Sequence, residues 1–117
     1  MPLLRRSSAA RIVNVSSEVG SITLISDPGS PLYMLDGVAY PASKSALNLA
    51  TIQYAKELKD TTIKVNAVSP GYCATDLNDH SGLRTAEQGA QIAVRMASLG
   101  PDGPTGTFVD DNGILPW

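Results

Sequence analysis

Two short runs rich in β-branched residues, "RIVNVSS" (11–17) and "TTIKVNAVS" (61–69), flank one long stretch of helical period, and this spacing restricts the fold more than any other feature. From about Tyr40 to Lys59, apolar Ala39, Ala42, Ala46, Leu47, Ala50, Tyr54, Ala55 and Leu58 recur at steps of three and four, the pattern of one helix face. Pro41 fits its first turn, where a missing N–H costs nothing. Strands joined through such a helix pair in parallel, because only antiparallel neighbours can be joined by a tight hairpin. A second helix is predicted from "TAEQ", with Thr85 as cap, Gln88 three residues on and Gly100 as the stop. The tail "TGTFVDD" reads as a third strand, while Gly20, Pro28, Gly29, Pro31 and Gly37 make the stretch from Ser17 to Gly37 a loop. Strand, helix, strand, helix, strand predicts an α/β fold with about three parallel strands and crossover helices.

Composition removes several function classes. With 117 residues the length suits one domain, residues 1–117, and 43% apolar residues with a net charge of -2 describe an ordinary globular chain. The only dense basic spot is Arg5, Arg6 and Arg11, too little for a phosphate backbone, so no nucleic-acid partner is expected. One cysteine, Cys73, permits no internal disulfide and suits a reducing compartment. A lone His80 without a second His or Cys at ligand spacing predicts no metal site. No apolar run approaches the roughly 18 residues of a membrane span, and the expected location is cytoplasmic.

The chemistry-bearing candidate is "VAYPASKSAL", in which Tyr40 precedes Lys44 by one helical turn. A phenol with an ordinary pKa of about 10 is a poor acid or base near neutrality, and a nearby ammonium favours its phenolate. Residues four apart share a helix face, so both groups can address one point outside the protein. The pair by itself also fits two polar residues on the wet side of a helix. Ser16 and Ser17 alone read as the end of a strand, Thr75 before Asp76 as the cap of a short helix, and Cys73 as a loop thiol. Asp110 and Asp111, beside Asn112 and Gly113, read as a polar turn.

Taken together, the serine pair ending "RIVNVSS", the small residues around the lysine in "YPASK" and the Pro-Gly turn in "VNAVSPGYCATDL" resemble, in order and placement, the classical short-chain dehydrogenases/reductases. The resemblance covers nearly the whole chain. It implies the carboxyl-terminal part of a doubly wound Rossmann-type parallel sheet, with the amino-terminal half missing and Met1 to Arg6 as the tail of the helix before the serine strand. No glycine-rich turn for a pyrophosphate is present in these residues, and the Asn-Asn-Ala-Gly type segment and the helix asparagine of the family's tetrad are absent as well.

By the same resemblance Ser17 hydrogen-bonds the substrate oxygen, Tyr40 gives or takes the proton on it, and Lys44 supports the tyrosine and holds the nicotinamide ribose. Pro70, Gly71, the main chain near Tyr72 and Cys73, and the Thr75 hydroxyl are implied to hold the nicotinamide ring of NADP or NAD. The 23-residue step from Ser17 to Tyr40 is longer than is common in the family and resembles its carbonyl reductases. The expected function is NAD(P)-dependent interconversion of a small carbonyl and an alcohol. The alternative is a non-catalytic remnant or assembly module of the same fold. A serine strand without its neighbour exposes a hydrogen-bonding edge, so self-association or a homo-oligomer is expected.

Overall fold

A computed structural model describes residues 1–117. Three parallel strands, β1 (Arg11–Val15), β2 (Lys64–Val68) and β3 (Phe108–Val109), lie side by side in the order β1-β2-β3. The helices in chain order are α1 (Pro2–Arg6), α2 (Ile22–Ser26), α3 (Ala39–Glu57) and α4 (Ala86–Ala97). Helix α3 makes the crossover from β1 to β2, and α4 the crossover from β2 to β3. The register runs from Arg11 opposite Lys64 to Val15 opposite Val68, so the carboxyl ends of β1 and β2 finish level with each other.

The two long helices cover opposite faces of the sheet, which follows from the alternation of side chains along each strand. Val65, with half-buried Ile12, packs against Ala55 and Leu58 at the end of α3. Val68 and Val13 face the other way, toward Ile92 and Met96 of α4. Helix α4 begins as expected, since Thr85 Oγ1 accepts from Gln88 N at 3.2 Å and Gln88 Oε1 accepts from Thr85 N at 2.8 Å. The Glu87 carboxyl in that first turn is held below its ordinary value by its own backbone N–H and the Thr85 side chain.

Four features differ in detail from the sequence expectation. The interval from Ser17 to Gly37 is not loop throughout: Ser17 opens a 3-10 turn over Glu18–Gly20, and Ser21 Oγ accepts from Leu24 N to start α2. Clustered glycines and prolines hid two elements too short to show a period. The buried face of α3 is also not the apolar stripe read from spacing. Its buried residues are Asn48, Thr51 and Ala55, while Leu49 and Tyr54 are exposed. Strand β3 pairs over only two residues, because Asn66 holds the approach to it: Asn66 Oδ1 accepts from Thr107 N at 3.0 Å and Thr107 Oγ1 at 2.8 Å, and Asn66 Nδ2 donates to Pro104 O at 2.9 Å. Finally, the tail doubles back. Leu115 N donates to Phe108 O, and the Trp117 ring stacks on Phe108 at 5.6 Å between centroids.

Polar contacts seam β1 to α3. Asn14 Nδ2 donates to Thr51 Oγ1 at 2.8 Å, Ser16 Oγ donates to Asn48 Oδ1 at 2.6 Å, and Asn48 Nδ2 donates to Gly20 O at 3.1 Å. Ser16 and Asn48 are both 3% exposed, so each depends on the other for a partner. On its other side β1 is an edge. Ser16 N bonds Val68 O and Lys64 N bonds Ala10 O, so the even-numbered peptide groups face β2 and those of Arg11, Val13 and Val15 face outward.

Replacing Asn48 with Ala leaves the buried Ser16 hydroxyl without a partner and the Gly20 carbonyl with Ser45 Oγ alone. The expected loss is about 2 to 3 kcal/mol in urea unfolding. A loss below about 0.5 kcal/mol, the size of a surface substitution, contradicts the seam.

Candidate active site

The site grows from the level carboxyl ends of β1 and β2. Beyond Val15 the chain turns through Ser16 and Ser17 into the 3-10 turn, whose Gly20 lies directly against α3. A Cβ on Gly20 would stand 2.7 Å from Lys44 Cβ and 2.8 Å from its carbonyl carbon, so no side chain fits there. The Gly20 carbonyl accepts from Ser45 Oγ at 2.9 Å as well as from Asn48. This contact fixes the turn carrying Ser17 against the helix turn carrying Lys44.

Lys44 Nζ donates to Val15 O at 3.0 Å, two residues before Ser17, and stands 5.7 Å from the Tyr40 ring centroid. Tyr40 is 47% exposed, and its hydroxyl makes no hydrogen bond within the chain. The Ser17 Oγ accepts a 3.4 Å contact from Val19 N, which leaves its O–H free to donate. Chemically, these groups are a hydroxyl donor, a phenol and an ammonium, the last tied to the carboxyl end of β1 through Val15 O. An ammonium has three donors, and Val15 O uses one of them.

The second half of the site is the loop after β2. Gly71 takes a φ of +76°, a conformation that suits glycine, and the chain then reverses. Cys73 Sγ donates to Pro70 O at 3.4 Å and packs against α4, where a Cβ on Gly89 would come within 2.3 Å of the sulfur. Asn78 ties the outer turn, its Nδ2 donating to Cys73 O at 2.8 Å and its Oδ1 accepting from Thr75 N at 3.2 Å. The loop closes on itself through Ala74 N to Arg84 O at 2.8 Å and through Leu83 N and Arg84 N to Tyr72 O at 2.9 and 3.1 Å. The main-chain N–H groups of Tyr72 and Cys73 have no partner within the chain. A hydrogen bond to Asp111 raises the Arg84 guanidinium above its ordinary range.

Between loop, strand end and α4 lies an open apolar cavity of about 340 Å³, walled by Val15, Pro70, Cys73 and Thr75 on one side and by Gly89 and Ala90 on the other. Pro70, Cys73 and Thr75 therefore face the same cavity as the residue whose carbonyl holds Lys44. The Tyr72 side chain does not: it is 56% exposed, with its hydroxyl 2.7 Å from Ser81 Oγ on the outer side of the loop. Gly71 backs onto the Arg84 side chain. His80 and Asp76 pair in solvent at 3.0 Å, and no group of His, Cys, Asp and Glu is arranged to hold a metal.

Sequence reasoning read Ser16 only as a strand end, Gly20 as loop and Asp111 as part of a polar turn, and it passed over Asn48 and Arg84. Asn48 carried a signal, since it lies one turn beyond Lys44 and two beyond Tyr40 on the same helix face. The partnership of Arg84 with Asp111 spans 27 residues and had none.

The model of the short chain dehydrogenase family matches residues 1–87. A short-chain dehydrogenase of Penicillium roqueforti, anuI, is 37% identical over 120 residues, which cover 98% of this chain and 48% of that protein. Salutaridine reductase of Papaver bracteatum is 32% identical over 143 residues, covering 94% of this chain and 45% of its own. Among solved structures, that of salutaridine reductase from Papaver somniferum superposes with a TM-score of 0.77 at 33% identity, over 94% of this chain and 48% of that one. The carbonyl reductase Sniffer of D. melanogaster gives a TM-score of 0.74 at 29% identity, over 99% and 49%. The chain thus spans about half the length of the curated relatives it matches.

The Gly20 contact makes a sharp demand on the sequence. Gly20→Ala must part the serine turn from α3, and an expected cost of about 1 to 3 kcal/mol in urea unfolding measures it. A fully stable variant means that the turn does not rest on Lys44.

Proposed function

This chain belongs to the short-chain dehydrogenase family, and from that premise we propose that Ser17, Tyr40 and Lys44 are its catalytic groups in the interconversion of a carbonyl and an alcohol with NADP or NAD. The observation that carries the proposal is the Lys44 ammonium, which stands 5.7 Å from the Tyr40 ring centroid while tethered two residues before Ser17. Ser17 donates its free O–H to the substrate oxygen and fixes it. Tyr40, exposed and without a partner, delivers the proton to that oxygen in reduction and removes it in oxidation. The positive charge of Lys44 supports the phenolate that remains, and its two unused N–H donors are free for the ribose hydroxyls. When bound, the nicotinamide supplies or accepts the hydride.

The residues around the 340 Å³ cavity fit the nicotinamide end of such a cofactor. Its walls are apolar, the Tyr72 and Cys73 N–H groups and the Thr75 hydroxyl offer polar contacts, and Pro70 and Gly71 shape the turn that presents them. Nothing comparable in residues 1–117 suits a pyrophosphate. The substrate in this reading is a small carbonyl compound of the kind a carbonyl reductase takes, handled by one partial NAD(P)-binding domain over residues 1–117 in the cytoplasm. No helix is long and apolar enough to cross a membrane.

A second reading, an assembly module of the same fold without catalysis, is favoured by one observation, the outward-facing peptide groups of Arg11 and Val13 and the Val15 N–H along β1, the Val15 carbonyl being taken by Lys44. An unpaired apolar strand edge recruits another chain, and two copies can meet there about a two-fold axis.

Titrating the 117-residue chain with NADPH and NADH, followed by fluorescence, separates the readings. Saturable binding in the micromolar range is expected, with Tyr40→Phe leaving binding intact and cutting carbonyl reduction by about a hundredfold or more. No binding of either coenzyme refutes catalysis by this chain, and undiminished reduction by Tyr40→Phe refutes the role of the tyrosine. For the edge, sedimentation velocity across a concentration series is expected to show growth beyond the monomer; a monomer at every concentration removes the assembly reading.

A further inference from the structure

We propose that Arg84 is a positioning residue that holds the Pro70–Thr75 loop in its binding shape, a role that rests on the assignment of that loop to the nicotinamide end of the cofactor. Its main chain already closes the loop, with its carbonyl accepting from Ala74 N at 2.8 Å and its N–H donating to Tyr72 O at 3.1 Å. The side chain then runs beneath Gly71, where a Cβ would meet Arg84 Cδ at 3.0 Å, and reaches two other elements. Nη2 donates to Gln88 O in the first turn of α4 at 2.9 Å and pairs with the Asp111 carboxylate beyond β3.

Apart from Gly71 N, which donates to Ser69 Oγ at 3.4 Å at the strand end just before the loop, these are the only side-chain hydrogen bonds that leave the stretch from Pro70 to Arg84. The others, from Tyr72 to Ser81, Cys73 to Pro70, Asn78 to Cys73 and Ser81 to Asn78, stay inside it. Without the guanidinium the loop is a self-closed turn joined to the sheet at one end and to α4 at the other. The far anchor is stiff. Asp110 Oδ1 accepts from Asn112 N at 2.8 Å and Gly113 N at 2.9 Å, and Arg95 Nη2 donates to Asp110 O at 3.0 Å. The Arg84 and Asp111 side chains are 29% and 28% exposed, so water shields the pair only in part. A planar fork serves two acceptors on different elements, which a lysine ammonium on a flexible stem does poorly.

Cys73, the only cysteine, reports on the loop because its thiol is seated between Pro70 and Gly89. The experiment compares the parent chain with Arg84→Lys, Arg84→Gln, Asp111→Asn and the double variant Arg84→Gln/Asp111→Asn. It reads the rate of Cys73 alkylation by N-ethylmaleimide, the thermal midpoint and the NADPH dissociation constant. Arg84→Gln and Asp111→Asn are expected to speed alkylation by about tenfold as the loop opens locally, with midpoints within a few degrees of the parent. The double variant is expected to react no faster than the singles, because both remove one interaction, and Arg84→Lys to fall between parent and Arg84→Gln. Weakened NADPH binding should follow the same order.

Alkylation within about twofold of the parent in both single variants, or single effects that multiply in the double, overturns the proposal. If Arg84→Gln does not fold, Asp111→Asn, which leaves every Arg84 main-chain bond in place, decides it alone. A parent chain that binds no NADPH refutes the assignment of the loop to a cofactor, while the alkylation rates still decide whether Arg84 holds it.

Discussion

The carboxamide of Asn48 is the contact on which the rest of the site depends. It accepts a hydrogen bond from the Ser16 hydroxyl and donates one to the Gly20 carbonyl, so a single side chain joins the end of β1, the turn that follows and the middle of α3. With both Ser16 and Asn48 buried, the bonds are costly to leave unmade and therefore specify one placement of the helix over the strand. An all-apolar contact between the same elements permits sliding, as dispersion forces have no preferred direction. A polar seam does not, and a shift of one helical turn between Lys44 and Ser17 breaks every bond in it.

That seam explains why the fold was more legible than the way it is held. The strands and the two long helices were written in local patterns: β-branched runs at 11–17 and 61–69, the capping pair Thr85 and Gln88, and the helix from Tyr40 onward. The face of α3 was not. Alanines dominate its sequence and supply a period on several sides at once, so the stripe read from spacing differs from the buried one, where Asn48 and Thr51 answer Ser16 and Asn14 of the strand. Partners are a property of two segments, and neither segment alone states which of its polar residues will find one.

The candidate site divides along the same line. Tyr40 and Lys44 lie one turn apart, so the helix brings them together whatever else happens. The serine turn and the Pro70–Thr75 loop come beside them only because β1 and β2 end level, Val15 opposite Val68. Sequence resemblance pointed to these positions, and parallel pairing is the physical reason they share one rim. The pairing of Arg84 with Asp111 was invisible beforehand because it requires β3 to lie next to β2, a fact carried by the fold and not by either residue.

The bare approach of Gly20 to Lys44 has a further consequence. The segment between them leaves the sheet through one clamped turn and returns at the start of α3, so both its ends are fixed by contacts that do not involve its own length. Residues can be added to or taken from its exposed middle, around Asp27 to Gly37, at small entropic cost and without moving tyrosine, lysine or serine. The clamp works as a socket: it separates the part of the chain that must stay constant from the part that is free to diversify over the rim.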